Sequence, residues 1–327
     1  MTKLSLLDLA HVTEGGDVAT SLANAADIAR HAESLGFERY WCAEHHGMEG
    51  IASAATSVVI GHVAAATSTI RVGAGGIMLP NHSPLVIAEQ FGTLEALFPG
   101  RIDLGLGRAP GSDQRVAAAL RRNLDTNPDA FPRDVVELQS YLAGDGRTGI
   151  KATPGAGAKV PLYILGSSLF GAQVAAVLGL PYAFASHFAP QALDDALAIY
   201  RERFEPSDVL SEPYAICGYN VFAADTEEEA HLLASSMQQS FVRLRTGQPG
   251  KLPPPVEGYR ESLPPQAAAM LDGVLKATAI GTPGQVREQM QAFVERTKAD
   301  ELIIAGSIYD HEKRKRSLTL AAEAFAS

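Results

Sequence analysis

A (β/α)8 barrel with insertions, belonging to the α/β class, is the fold that this sequence predicts, on three observations. Eight short apolar runs recur along the chain, helix-patterned segments separate them, and 327 residues, 46% of them hydrophobic, suffice for eight such units in one domain spanning 1–327. The runs are LSLLDLA, FERYWCAE, IRVGAGGIML, RIDLGLG, PLYILG, YAFASHF, YAICGYNVFAA and ELIIAGS. Between the first two, VATSLANAADIARHAESLG carries apolar residues at three- and four-residue spacing and ends at Gly36, a helix stop. A doubly wound sheet is the structural alternative.

Three stretches break the alternation. Residues 109–132 add a polar, helix-containing excursion after the fourth run, and residues 143–161 place five glycines before the fifth. Residues 246–265 hold six prolines in twenty positions, which excludes a regular helix or inner strand and predicts a long loop. Loops of that length in a compact domain act as covers over binding sites or stay irregular. No internal repeat is present, and no linker divides the chain.

Lys and Arg number 27 against 37 Asp and Glu, a net charge of −10 that offers nucleic acid or an anionic membrane no overall attraction. Cys42 and Cys217 stand far apart without metal or redox spacing, which fits a reducing compartment. The amino terminus lacks a cleavable signal pattern, and no run reaches the length of a membrane span. A cytoplasmic protein is expected.

CAEHHGMEG, residues 42–50, follows the strand-like run from Phe37 to Trp41. At the carboxyl end of a barrel strand, Glu44, His45 and His46 fall among the loops over the mouth, where barrel chemistry is done. A metal site, an acid–base site and the polar end of an ordinary strand all fit this composition. HExxH and HxH spacings are absent, and although His11, His62, His82 or His187 could approach in space, no metal is assigned.

VGAGGIMLP sets Gly73, Gly75 and Gly76 at the end of the third strand, where glycine marks a bulge or lets a flat ligand approach the backbone. RIDLGLGRAPG has GxGxxxG spacing in mid-chain with Pro110 inside, so it is not a dinucleotide fingerprint, but it ends the fourth strand in Arg108. LGSSLFGAQ places Ser167, Ser168 and Gly171 where the fifth strand meets a helix. Hydroxyls and free N–H groups there bind phosphate, with an Arg as countercharge, and a Ser in that place also serves as a plain helix cap. His187 and Phe188, which end the sixth strand, and Glu44 are the candidate substrate-pocket residues. HEKRKR, residues 311–316, reads as a solvated charged face before the last helix.

GFERYWCAEHH, IRVGAGGIMLPNHSPLVIAEQFGTLEALFPGRIDLGLGRAPGSD, PLYILGSSLFGAQVAAVLGLP and GTPGQVREQM together resemble the bacterial luciferase-like flavin monooxygenases, particularly the single-chain group similar to the luciferase α subunit. The resemblance implies a (β/α)8 barrel using reduced FMN delivered by a separate flavin reductase, or in some branches the deazaflavin F420. It implies O2 as co-substrate and a C4a-peroxyflavin that oxygenates a small organic molecule. His45 matches the family's active-site histidine, and Gly75 to Gly76 match the pair whose peptide, often non-prolyl cis, bulges beneath the isoalloxazine. Arg108, Ser168 and Gly171 match positions around the flavin phosphate. Gly107 stands where luciferase has a reactive cysteine, and Gly171 where its phosphate loop has a hydroxyl, so light emission is not implied.

On this reading His45 is the acid–base group. Glu44 and His46, one residue to either side on a continuing strand, face the other way. Arg108, Arg115, Arg121 and Arg122 are few cations for the polyanionic tail of F420, which favours FMN. F420-dependent hydride transfer and a non-catalytic flavin-binding protein are the alternatives. Small and apolar residues in SVVIGHVAAATS and PLVIAEQFGTLEALF fit the family's habit of forming dimers, and a homodimer is expected.

Overall fold

The structure is a computed structural model that describes residues 2–108, 114–120 and 130–326. Arg121 and Arg122 lie outside the described residues. In chain order the elements are β1 (Lys3–Asp8), α1 (Val18–Ser34), β2 (Arg39–Cys42), α2 (Thr56–Ala66), β3 (Arg71–Met78), α3 (Pro84–Leu97), β4 (Ile102–Gly107), α4 (Gln114–Leu120) and α5 (Phe131–Ala143). There follow β5 (Leu162–Gly166), α6 (Leu169–Val177), β6 (Tyr182–Phe184), α7 (Leu193–Glu202), β7 (Ala215–Ala223), α8 (Glu227–Arg245), α9 (Tyr259–Ser262) and α10 (Pro265–Leu275). The chain ends with β8 (Thr278–Gly281), α11 (Pro283–Thr297), β9 (Glu301–Ala305) and α12 (His311–Ala326).

Strands β1 to β7 pair in sequence order, all parallel, and β9 closes the ring by pairing with both β7 and β1. The closed sheet is therefore an eight-stranded parallel barrel ringed by helices, and each barrel strand coincides with one of the eight apolar runs, β1 starting one residue earlier at Lys3. The ninth strand, β8, matches none of those runs. Its four residues pair with Asn220–Ala223 of β7, taking over at Asn220 from the Ile216–Asn220 stretch that pairs with β9. β7 is nine residues long, enough to serve the barrel with its first half and β8 with its second.

Local signals fix the helix ends. Asp17 caps α1 by accepting from Thr20 N at 2.7 Å, and Gly36 turns the chain out of it at φ +78°. Thr282 and Gln285 form a capping box at α11, with Pro283 in its first turn. Between sheet and helices lies the main apolar core, including Ile28, Tyr40, Phe91, Leu104 and Leu138.

The barrel interior is layered. At its amino-terminal end, Arg39 reaches Asp103 at 2.6 Å, Glu301 at 2.8 Å and Tyr163 Oη at 2.8 Å. Arg71 adds a second bond to Asp103 at 2.6 Å, while Trp41 Nε1 and Tyr214 Oη donate to Asp103 and Glu301. A buried ionic floor of this kind is tolerable because every charge has several partners. Above it Leu7, Trp41, Tyr163, Ala183, Ile216 and Ile303 form an apolar layer, and Ala43, Leu165 and Ala305 carry it toward the mouth.

The mouth is roofed by an insertion between β7 and α11. Glu229 of α8 pairs with Lys313, Arg243 with Glu14 at 2.7 Å, and Phe241 packs on Phe188 with ring centres 6.3 Å apart. Helix α8 thus crosses from β7 to the first turn of α12 and to the loops of β1 and β6. The proline-rich loop that follows is a strap tied down at its middle. Leu252, 2% exposed, donates from its N–H to Val12 O at 2.9 Å and accepts from Glu14 N at 2.8 Å. Pro254 O accepts from Gln239, and Ser235 Oγ accepts from Val256 N. The long loop read from the sequence is thus fastened to the β1 loop on one side and to α8 on the other. Among the described residues, no helix is long and apolar enough to cross a membrane.

Candidate functional site

Regular pairing of β2 stops at Cys42, but the alternation that turns Arg39, Trp41 and Ala43 inward continues to His45, which stands half-buried at the mouth. Two further histidines face it electrostatically, His11 from the β1 loop and His187 from the β6 loop. Burial, with His45 as a second cause, draws the pKa of His187 down to about 4. His11 also falls to about 4, through burial, which the opposing Asp8 carboxylate does not offset, and through the charges of Arg314 and His45. Its Nε2 lies 2.8 Å from Ser307 Oγ.

Glu44 turns the other way and is fully buried. One carboxylate oxygen accepts from His46 Nε2 at 2.7 Å and from His82 Nε2 at 2.9 Å, and the other from Met78 N at 3.0 Å. Burial alone would raise its pKa, yet the bonds from His82, His46 and Met78 hold it below the usual carboxylate range. Both oxygens are taken, so Glu44 presents none to the pocket where it was expected. His46 faces Glu44, as an i, i+2 pair should, but is engaged rather than idle. The three ligand atoms lie within 4.8 Å of one another, a donor set that a divalent cation could take, and the imidazole N–H groups can equally satisfy the carboxylate.

The Gly75–Gly76 peptide is cis, at the register shift between Ala74 and Ile77 in the β3–β4 ladder. Protein fills the space that side chains would need here. A Cβ on Gly75 would stand 2.8 Å from Leu7 and 3.0 Å from Trp41, and one on Gly76 would stand 2.7 Å from Gly105 O. Close approach of β3 to β4 and to the apolar layer therefore requires both glycines, whatever lies above them.

Arg108 leaves the end of β4 with its guanidinium carbon 4.2 Å from the ring centre of Phe170, in the first turn of α6. Among the described residues no carboxylate pairs with it. Ser168 is the N-cap residue of α6, but its side chain makes no capping bond, and both Ser167 and Ser168 are exposed. Gly171 is buried against the Tyr182 ring. A cation, two hydroxyls and the uncapped N–H groups of a nine-residue helix thus converge.

The remaining wall comes from β6 and the roof. Asn220 donates to His187 O at 2.8 Å, and the His187 ring lies over Gly218 with its Nδ1 buried and unpartnered. Phe188, 41% exposed, packs against Phe241 and Arg245. Asn220, Gly218, Phe241 and Arg245 were not singled out from sequence, since each acts through a neighbour distant along the chain, and His82, named as a histidine that could approach, is the one that reaches Glu44. Two of the HEKRKR residues also depart from the solvated face expected of them. The run begins α12, where Arg314 bonds the buried Asp8 at 2.9 Å and His311 bonds Asp27.

Residues 2–301 match the family model of the luciferase-like monooxygenases. The chain is 52% identical over 320 residues, covering 98% of it and 96% of the relative, to a luciferase-like monooxygenase of Escherichia coli strain K12. It is 32% identical over 340 residues to the N-acetyl-S-alkylcysteine monooxygenase of Bacillus subtilis strain 168, covering 99% and 98% of the two chains. The crystal structure of apo-MsnO8 superposes with a TM-score of 0.89 at 36% identity, over 100% and 99% of the chains. At the level of the fold alone, the barrel also matches the oxygenating constituent of 3,6-diketocamphane monooxygenase from Pseudomonas putida, solved with FMN, at 18% identity, TM-score 0.72 and 98% and 97% coverage. An F420-dependent secondary alcohol dehydrogenase matches in the same sense at 17% identity, TM-score 0.68 and 99% coverage of both chains. With the barrel, its mouth residues and these matches along nearly its whole length, the chain belongs to the luciferase-like monooxygenase family.

Proposed function

We propose that the chain is a flavin-dependent monooxygenase that takes reduced FMN from a separate reductase and uses O2 to oxygenate a small organic substrate. The observation that carries this reading is the convergence of Arg108, held over Phe170, with the uncapped start of α6. Such a place suits a terminal phosphate dianion, for which the helix dipole, the free N–H groups and the guanidinium all have the right sign. Ser167, Ser168 and the N–H of Gly171 would complete the cradle. The isoalloxazine would lie over the backbone of the Gly75–Gly76 peptide, whose missing side chains let β3 settle onto β4 and the apolar layer beneath it.

Reduced flavin supplies the electrons that activate oxygen, and the chain's own groups govern the surroundings. His45, at the inward row of the mouth, holds or moves a proton beside the reacting atoms. His187 and His11, neutral at physiological pH, add polar contacts without adding charge. The apolar layer below and α8 above exclude bulk water, which oxygen activation by a flavin requires. An S-alkyl N-acetylcysteine, the substrate in the Bacillus subtilis relative's name, is a rational first substrate to try. The two buried free thiols, Cys42 and Cys217, suit a cytoplasmic protein, and we assign the chain to one domain and a homodimer.

The test is anaerobic titration with reduced FMN and, separately, reduced F420, followed by oxygen and an S-alkyl N-acetylcysteine. Tight binding of reduced FMN and an oxygenated product are expected. Preferential binding of F420 with hydride transfer would replace this reading by the alternative chemistry, and flavin binding without turnover of any substrate would reduce it to a flavin-binding protein.

A further inference from the structure

We propose that Arg245, stacked on Phe188 and Phe241 at the rim of the mouth, is the recognition point for the anionic end of a carboxylate-bearing substrate. This inference rests on the monooxygenase reading above and names the class of molecule that the site admits. The guanidinium carbon lies 4.9 Å from the centre of Phe188 and 5.1 Å from that of Phe241, and the two rings meet edge to face at 74°. Stacking uses the face of the guanidinium and leaves its N–H edge free to donate. Among the described residues no carboxylate pairs with Arg245, although the chain carries a net charge of −10. Several other surface arginines are paired: Arg243 with Glu14, Arg260 with Asp272, Arg296 with Asp194 and Arg316 with Asp225.

A basic residue in the last turn of α8 also answers the helix dipole, but Arg243 serves that end equally and stacks on no ring. Two aromatic supports hold Arg245 in one orientation, which lowers the entropy lost when it binds an anion. Phe188 directly follows His187 and is 41% exposed, so the cation adjoins apolar ground that leads to the pocket wall. Charged edge and apolar floor together suit a molecule with a carboxylate at one end and an apolar body that reaches inward.

The same guanidinium chemistry would suit the flavin phosphate, and the test separates the two. Wild type, Arg245→Met and Arg245→Lys, each with oxidised FMN bound, are titrated calorimetrically with N-acetyl-S-benzylcysteine and with its uncharged amide. All three proteins are also titrated with FMN. The wild type is expected to bind the acid about tenfold more tightly than the amide, as one charge-assisted contact allows. Arg245→Met should bind both alike, Arg245→Lys should fall between, and FMN affinity should stay within about twofold. Equal binding of acid and amide by the wild type, no binding of the acid at millimolar concentration, or loss of FMN affinity in Arg245→Met would each overturn the assignment. None of these readouts needs turnover. Arg245-dependent binding without oxygenation would sink the monooxygenase reading and leave the anion site standing.

Discussion

His187 rests its Nδ1 against the α-carbon of Gly218, so that a Cβ on residue 218 would stand 2.2 Å from that nitrogen. The obstructing atom belongs to a side chain, so the ring would give way before the strand did. Gly218→Ala should cost about 1 to 3 kcal/mol from overpacking and lower turnover about ten- to a hundredfold by displacing the ring, with FMN binding intact. Urea unfolding and steady-state kinetics check both halves. Normal turnover in a destabilised variant would show that the seat of the ring is immaterial to chemistry.

His45→Ala should still bind reduced FMN while diverting oxygen to hydrogen peroxide, with oxygenation down about a hundredfold or more. His46→Ala makes an informative contrast because it is not silent. It removes one of the donors to buried Glu44, which should cost about 1 to 3 kcal/mol of stability while coupling is kept. Peroxide yield per flavin oxidised, measured beside thermal unfolding, separates the two. Unchanged coupling in His45→Ala would remove His45 from the mechanism.

Arg108→Met should weaken FMN by about 1.5 to 3 kcal/mol, roughly ten- to a hundredfold, and leave riboflavin untouched. Calorimetric titration with the two flavins reads the difference. A variant that weakens both equally would place Arg108 at the ring rather than the phosphate.

Stability should fall as pH drops from about 6.5 toward 4. His11 and His187 have folded pKa values lowered to about 4 from 6.5, so over that interval the unfolded chain binds the extra protons. Their contribution is complete above the unfolded value, and below pH 4 they cause no further loss. Glu44, also depressed, adds a separate loss at lower pH, as protons reach its folded value. Urea midpoints between pH 4 and 8 should show a shallower slope for His187→Gln than for the wild type. Parallel slopes would mean that His187 is not held neutral.

Val58 on α2 is 70% exposed, Leu97 at the end of α3 is 64% exposed, and Val86 on α3 is 43% exposed. Burying this strip against a second copy would account for it, and Val58→Asp should then yield a monomer that keeps its fold. Sedimentation equilibrium at micromolar concentration decides. A monomeric wild type with full flavin binding would reject the interface.

The barrel was legible because each of its eight strands carries its own apolar run. β8 was not, since TAIG is four residues long and finds its partner only because β7 overshoots the barrel. The CAEHH motif showed where a site would be and which face His45 would take. It could not show that His82, 38 residues away, would close on Glu44. Arg108 and the Ser167–Ser168 pair could be read as two halves of an anion site, but the Phe170 ring that joins them gives no sign at the level of sequence. Pro and Gly content marked residues 246–265 as irregular; the two backbone bonds of Leu252 that fasten them depend on the β1 loop, far off in the chain.

The roof leaves the barrel at the end of β7 and comes back along β7 itself, where Thr278–Gly281 run beside Asn220–Ala223. Its exit and its return are thus neighbours in one ladder, and whatever chain lies between them closes a loop whose ends are already held together. The entropy of closing such a loop rises only slowly with its length. Closure entropy therefore sets little limit on the length of the segment from α8 to α10, and the limits on its chemistry come from its contacts with β7 and with the β1 and β6 loops. The eight barrel strands can in this way stay fixed while the chain above their mouth varies in length.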